Sequence, residues 1–108
     1  MKLTELEDIY KQKGFCKDGG ILLLKPHDAL ALIDDACAEG FSVYGVDGFF
    51  RIGERGIQPT QDHSHSYEYS AYGNNQPLFV AELKAFITAR IGQDVWFEVI
   101  MLDERDSS

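Results

Sequence analysis

The sequence predicts an α+β fold: a small, mostly antiparallel sheet of about four strands with about three helices packed on it. Two stretches, 26–40 and 77–91, carry apolar residues at helical spacing, each with proline at its start and glycine at its end. Residues 41–52 and 95–102 instead alternate with the two-residue period of strands. The resulting order is helix, helix, strand, strand, strand, helix, strand. Helices and strands that do not alternate regularly imply helices packed on an antiparallel sheet rather than a parallel crossover fold.

The first helix is expected from Thr4 and Glu7, spaced as a capping box, with Leu6, Ile9 and Tyr10 as its apolar stripe and an end near Gly14. Asp18, Gly19 and Gly20 read as a turn. Residues 21–24 read either as a short buried strand or as the lead-in to the next helix, since so short an apolar run has no diagnostic period. Pro26 opens the second helix; Ala29, Leu30, Ile33 and Cys37 share a face, and Gly40 ends it. Residues 41–46 form a strand, Asp47 and Gly48 a turn, and 49–52 the returning strand of a hairpin. Gly53, Gly56 and Pro59 mark a loop. Asn75 and Pro77 start the last helix, whose core stripe is Phe79, Leu83, Phe86 and Ile87. Residues 95–102 are apolar on both faces and are expected to be the central strand. The whole of 1–108 is read as a single domain, with 1–23 an extra N-terminal helix and turn and 103–108 a flexible tail.

Eighteen acidic against ten basic side chains give a net charge of −8, the wrong sign for neutralising phosphates. Direct nucleic-acid binding is therefore not expected. The charge serves either solubility alone or a basic partner. Cys16 and Cys37 are too few for a disulfide framework, and Cys37 is expected to be a buried thiol. Residues 1–13 lack the apolar run of a signal peptide, and the longest aliphatic run, 21–24, is far too short to span a bilayer. A cytoplasmic location is expected.

The unusual stretch is 62–72, which gathers three tyrosines, two histidines, three serines and two acids with no aliphatic side chain above alanine. A core strand would carry Val, Ile or Leu on its buried face. As a strand, it places His63, His65, Tyr67 and Tyr69 on one face and Asp62, Ser64, Ser66 and Glu68 on the other. Such a surface stacks on flat groups and accepts hydrogen bonds from them. Tyr44 is expected to pack as ordinary core, whereas Tyr67, Tyr69 and Tyr72 read as recognition residues.

His63 and His65 are the only pair with metal-ligand spacing. A zinc site needs a third ligand, and His27 has no evident reason to approach. Ser64 and Ser66 lack a nucleophile elbow, and Gly14, Gly19 and Gly20 lack the lysine and spacing of a phosphate loop. Asp34 and Asp35 read as a solvated helix face. No complete catalytic constellation is present in the sequence, so no enzymatic activity and no cofactor are expected.

Several of these residues also form a family pattern. Leu24, Lys25 and Pro26, then Ala29, Ala36 and Gly40, the turn Gly45-Val46-Asp47-Gly48, and Ser64-His65-Ser66-Tyr67-Glu68-Tyr69 resemble the immunity proteins of tRNA-cleaving E-group colicins and their bacterial relatives. The resemblance spans roughly 24–102, and its most specific parts are the glycine-bounded turn and the serine-aromatic strand. Departures include the first 23 residues, Lys25 in place of a capping hydroxyl, Tyr67 in place of an indole, and a longer segment between Asp47 and Ser64. The resemblance implies a one-to-one inhibitor that fills the RNA-binding cleft of a ribonuclease toxin as a substrate mimic. Asp47, Phe49, Asp62, Ser66, Tyr67, Glu68 and Tyr69 are then the toxin-binding residues, with carboxylates facing basic side chains and rings replacing bases. Two rivals stand beside it: a regulatory module for another basic protein, and a small metal-dependent hydrolase using His63 and His65.

Overall fold

The computed structural model describes residues 1–17, 20–54, 56–68, 73 and 75–104. Its elements are α1 (Leu3–Lys11), β1 (Phe15–Lys17), β2 (Ile21–Leu23), α2 (Pro26–Ala38), β3 (Ser42–Ile52), β4 (Gly56–Ser66), α3 (Gln76–Thr88) and β5 (Trp96–Leu102). The expected α+β class holds: three helices accompany two small antiparallel sheets, the hairpin β1–β2 and a sheet of order β4-β3-β5. A single bridge joins them. Leu24 and Phe97 exchange two backbone hydrogen bonds of 2.7 and 2.8 Å, which tie the hairpin to the outer edge of β5.

One face of the main sheet meets α2 and α3. Val43, Val46, Phe97 and Val99 from the strands close on Ala29, Leu32, Ile33 and Ala36 of α2 and on Phe79, Leu83 and Ile87 of α3. Leu6 and Tyr10 of α1 complete this core, and the Tyr10 hydroxyl donates to Asp35 on α2. The N-terminal helix is thus part of the globule rather than an appendage. Its start differs from expectation: the helix begins at Leu3, and the Lys2 amide donates to Glu5, so the cap lies two residues ahead of Thr4. Ile9 is half-exposed because Leu3, Leu6 and Tyr10 form the inward stripe.

Residues 21–23 form a strand paired with β1, an element absent from the sequence reading, and Leu24 follows as the bridge to Phe97. Pro26 occupies the first turn of α2, and Asn75 caps α3 by accepting the Leu78 amide at 3.1 Å. Cys37 is exposed on α2 rather than buried, because Ala29, Leu32, Ile33 and Ala36 form the inward face.

Three corrections concern the sheet. Asp47 and Gly48 do not turn the chain; β3 runs through them to Ile52, and the reversal falls at Gly53, where φ is +65°. The expected loop around Gly56 and Pro59 is the start of β4, with Pro59 opposite Phe49 on an edge strand, the place where a sheet tolerates proline. β3, not β5, is central. Both turn signals were read locally, while the long strand is enforced by pairing on both of its sides.

Candidate partner-binding face

Register determines what the open face of the sheet displays. Residues directly opposite in an antiparallel pair share a face, and neighbours along a strand alternate. Val46, opposite Val99 and His65, faces the core, so Asp47 and its partner Glu98 face outward. The same face carries Phe49 opposite Trp96, Gly45 between Ile100 and Ser66, and Leu102 opposite Ser42. Ile100 and Leu102 are 38% and 47% exposed. At the far end Arg51 covers this face, its guanidinium 4.1 Å from the Phe15 ring centre and 5.1 Å from that of Trp96. Phe49 is nearly buried as a result.

Asp47 and Glu98 are like charges set directly across from one another, an arrangement that destabilises a sheet. Glu98 is half-buried. Desolvation, with Asp47 and then Glu7 of α1 adding repulsion, holds its carboxyl above the usual carboxylate range. Among the described residues no salt bridge reaches either acid. Glu98 and its companions Trp96 and Ile100 were not singled out from sequence; a lone acid in an otherwise apolar strand was the available signal.

β4 departs from its ladder opposite Asp47. His65 pairs with Val46 and Thr60 with Gly48, so four residues, 61–64, oppose one. The excursion is pinned at several points. Ser64 Oγ accepts the Gly48 amide at 3.1 Å and donates to the Thr60 carbonyl at 3.0 Å. Arg90 bonds the Asp62 carbonyl at 3.2 Å and the Phe86 carbonyl at 2.8 Å while lying 3.5 Å from the Phe86 ring centre. Asp62 is exposed on this bulge at the level of Asp47. Gly48 makes the close approach feasible: a Cβ there would sit 2.5 Å from both the Cβ and the carbonyl oxygen of His63.

The aromatic half of the expected site is divided. His65 stacks on Phe79 and Phe86 at 5.7 and 5.2 Å, and Tyr67 meets Phe79 edge-on at 4.9 Å. The Tyr67 hydroxyl donates to the Gly73 carbonyl, and Tyr44 packs against the Tyr67 ring at 5.8 Å. Tyr67 therefore sits half-buried against α3, on the core side, whereas Ser66 faces outward and Glu68 is exposed just beyond β4. The packing partners missing from its own segment come from β3 and α3. Tyr69 and Tyr72 lie outside the described residues.

His63 and His65 do point to one side, but their environments differ. The His63 nitrogens lie 3.1 Å from Thr60 Oγ1 and 2.8 Å from Gln93 Oε1, and the His65 ring is stacked on α3. Among the described residues no group of three or more His, Cys, Asp or Glu is placed to hold a metal ion. No helix among them is long and apolar enough to cross a membrane. The outward face is thus apolar at Trp96, Ile100 and Leu102, acidic at Asp47 and Glu98, and bordered by Ser66 and Asp62. No protein-family model matches this chain, and no curated protein matches it.

Proposed function

We propose that the chain is a cytoplasmic, non-catalytic immunity protein. It binds one-to-one to the basic cleft of a ribonuclease domain of the tRNA-cleaving kind and shields that cleft from RNA. The observation that carries this reading is the Asp47–Glu98 pair, two acids opposed across the sheet with Glu98 partly desolvated. An arginine or lysine entering between them would relieve the repulsion, so binding recovers what the free fold loses. Ile100, Leu102 and Trp96 supply an apolar surround that keeps water from such a pair. The net charge of −8 and the resemblance of 24–102 to colicin immunity proteins support the same partner class.

The test is charge reversal against a cognate ribonuclease domain, to be sought in the gene next to this one. Asp47→Lys or Glu98→Lys should weaken binding by about 2 kcal/mol or more, roughly thirtyfold. Asp62→Lys on the bulge should act in the same direction. Glu54→Lys, exposed in the turn between β3 and β4, serves as the control and should be neutral, whereas Glu39 is unsuitable because it pairs with the N-terminal ammonium group at 3.9 Å. Asp34 is unsuitable because it pairs with Lys84 at 2.6 Å. Folded reversal variants that bind within twofold of the parent would move the interface elsewhere.

A further inference from the structure

The two edges of the main sheet are treated differently. β4 carries Pro59 and the bulge of residues 61–64, two devices that discourage another strand from pairing. β5 has neither. Phe97 directs its amide and carbonyl to Leu24, away from β3. Backbone groups alternate along a regular strand, so those of Val99 and Met101 point the same way. The β3–β5 register shift at Val43/Gly45 leaves β5 regular, the extra residue being Tyr44 on β3.

β2 could have continued the pairing, placing Leu22 opposite Val99 and Gly20 opposite Met101. It does not: the bridge at Leu24 is isolated, and β2 diverges beyond it. A cleft opens in the fork, lined by Gly20, Leu22, Leu32, Val99 and Met101, with Glu7 and Glu98 on its walls. Its lining is apolar at Leu22, Leu32, Val99, Ile100 and Met101 and acidic at Glu7 and Glu98. Among the described residues none pairs with Val99 or Met101 on that side.

We propose that the free edge of β5 at Val99 and Met101 docks an extended segment of a partner as an added strand, basic and apolar at alternating positions. Main-chain hydrogen bonds to the edge supply the pairing. Alternation sends one set of side chains to the face of Val99 and Met101, toward Leu22 and Leu32, and the other to the face of Glu98 and Ile100. The acidic walls select lysine or arginine in that second set. This docking surface does not require the partner to be a nuclease, so it stands or falls separately from the reading above.

The probe is the capped peptide acetyl-Lys-Val-Lys-Val-Lys-amide, titrated into the ¹⁵N-labelled chain. Amide shifts should centre on Leu22, Val99 and Met101, and exchange at Val99 and Met101 should slow. A peptide N-methylated at its inward-bonding amides keeps charge and side chains but loses the ladder; it should bind at least about tenfold more weakly. The double variant Glu7→Gln, Glu98→Gln should bind the parent peptide about fivefold more weakly. Equal binding of the methylated peptide, shifts confined to another surface, or no binding at millimolar peptide would each overturn the proposal.

Discussion

Glu98 is the residue whose physics is most exposed to measurement. Its folded pKa lies above the ordinary 4.5, because burial and then Asp47 and Glu7 disfavour the carboxylate. The native state therefore holds the proton more tightly than the unfolded chain, and stability falls as pH rises from about 4.5 through the folded value. Above the folded value that loss is complete. Glu98→Gln should consequently raise the melting temperature near pH 7 and leave it unchanged near pH 3, where the carboxyl is protonated in both states. A scanning-calorimetry series across pH checks this, and equal gains at both ends would show that charge is not the cause. Gly48 is the second such residue. Gly48→Ala drives a Cβ into His63 and should cost about 2 kcal/mol or more in urea unfolding, with the bulge at 61–64 displaced. Neither role was visible from sequence, where Gly48 read as a turn residue and Glu98 as one acid among eighteen.

At the scale of elements, β4 and α3 hold each other through rings rather than aliphatic side chains. His65 and Tyr67 lie on Phe79 and Phe86, and Arg90 closes over Phe86 to grip the bulge. Tyr67→Ala should therefore lower stability by about 2 kcal/mol, whereas Tyr67→Phe, which keeps the ring and loses only the bond to Gly73, should cost about 1 kcal/mol. Chemical denaturation of the two variants separates ring packing from the hydroxyl. This outcome also bears on the candidate site, because a fall in partner affinity for Tyr67→Ala is interpretable only alongside its stability. The helices were legible in the sequence because their proline starts, glycine ends and apolar stripes are local signals. Strand pairing is not local. Nothing within 47–48 reports that β4 and β5 flank it on either side, so the turn chemistry was read correctly for a context that does not occur. The segment 62–66 was correctly read as strand, but His65 turns to α3 and Ser66 outward, which only the register decides.

For the whole molecule, a net charge of −8 with acids on the open face of the sheet predicts steered encounter with a basic partner. On the proposed reading, association with a cognate nuclease domain should slow markedly from low to physiological salt, while dissociation changes less. Stopped-flow mixing at several ionic strengths checks it; a flat association rate would assign the charge to solubility alone. The fold class and the acidic net charge were both legible in composition and period. The division of labour within the 62–72 segment was not, since it depends on which face the helices cover. Shielding of an RNA cleft has one further consequence that solubility or incidental binding does not share. On the proposed reading, a cognate nuclease domain cannot hold this chain and RNA at once. Stopped-flow association measured against rising concentrations of a non-cleavable tRNA anticodon stem-loop should slow in proportion to the fraction of nuclease occupied, and equimolar chain should abolish tRNA cleavage. An association rate unchanged by saturating RNA, or cleavage that continues in the presence of equimolar chain, would contradict it.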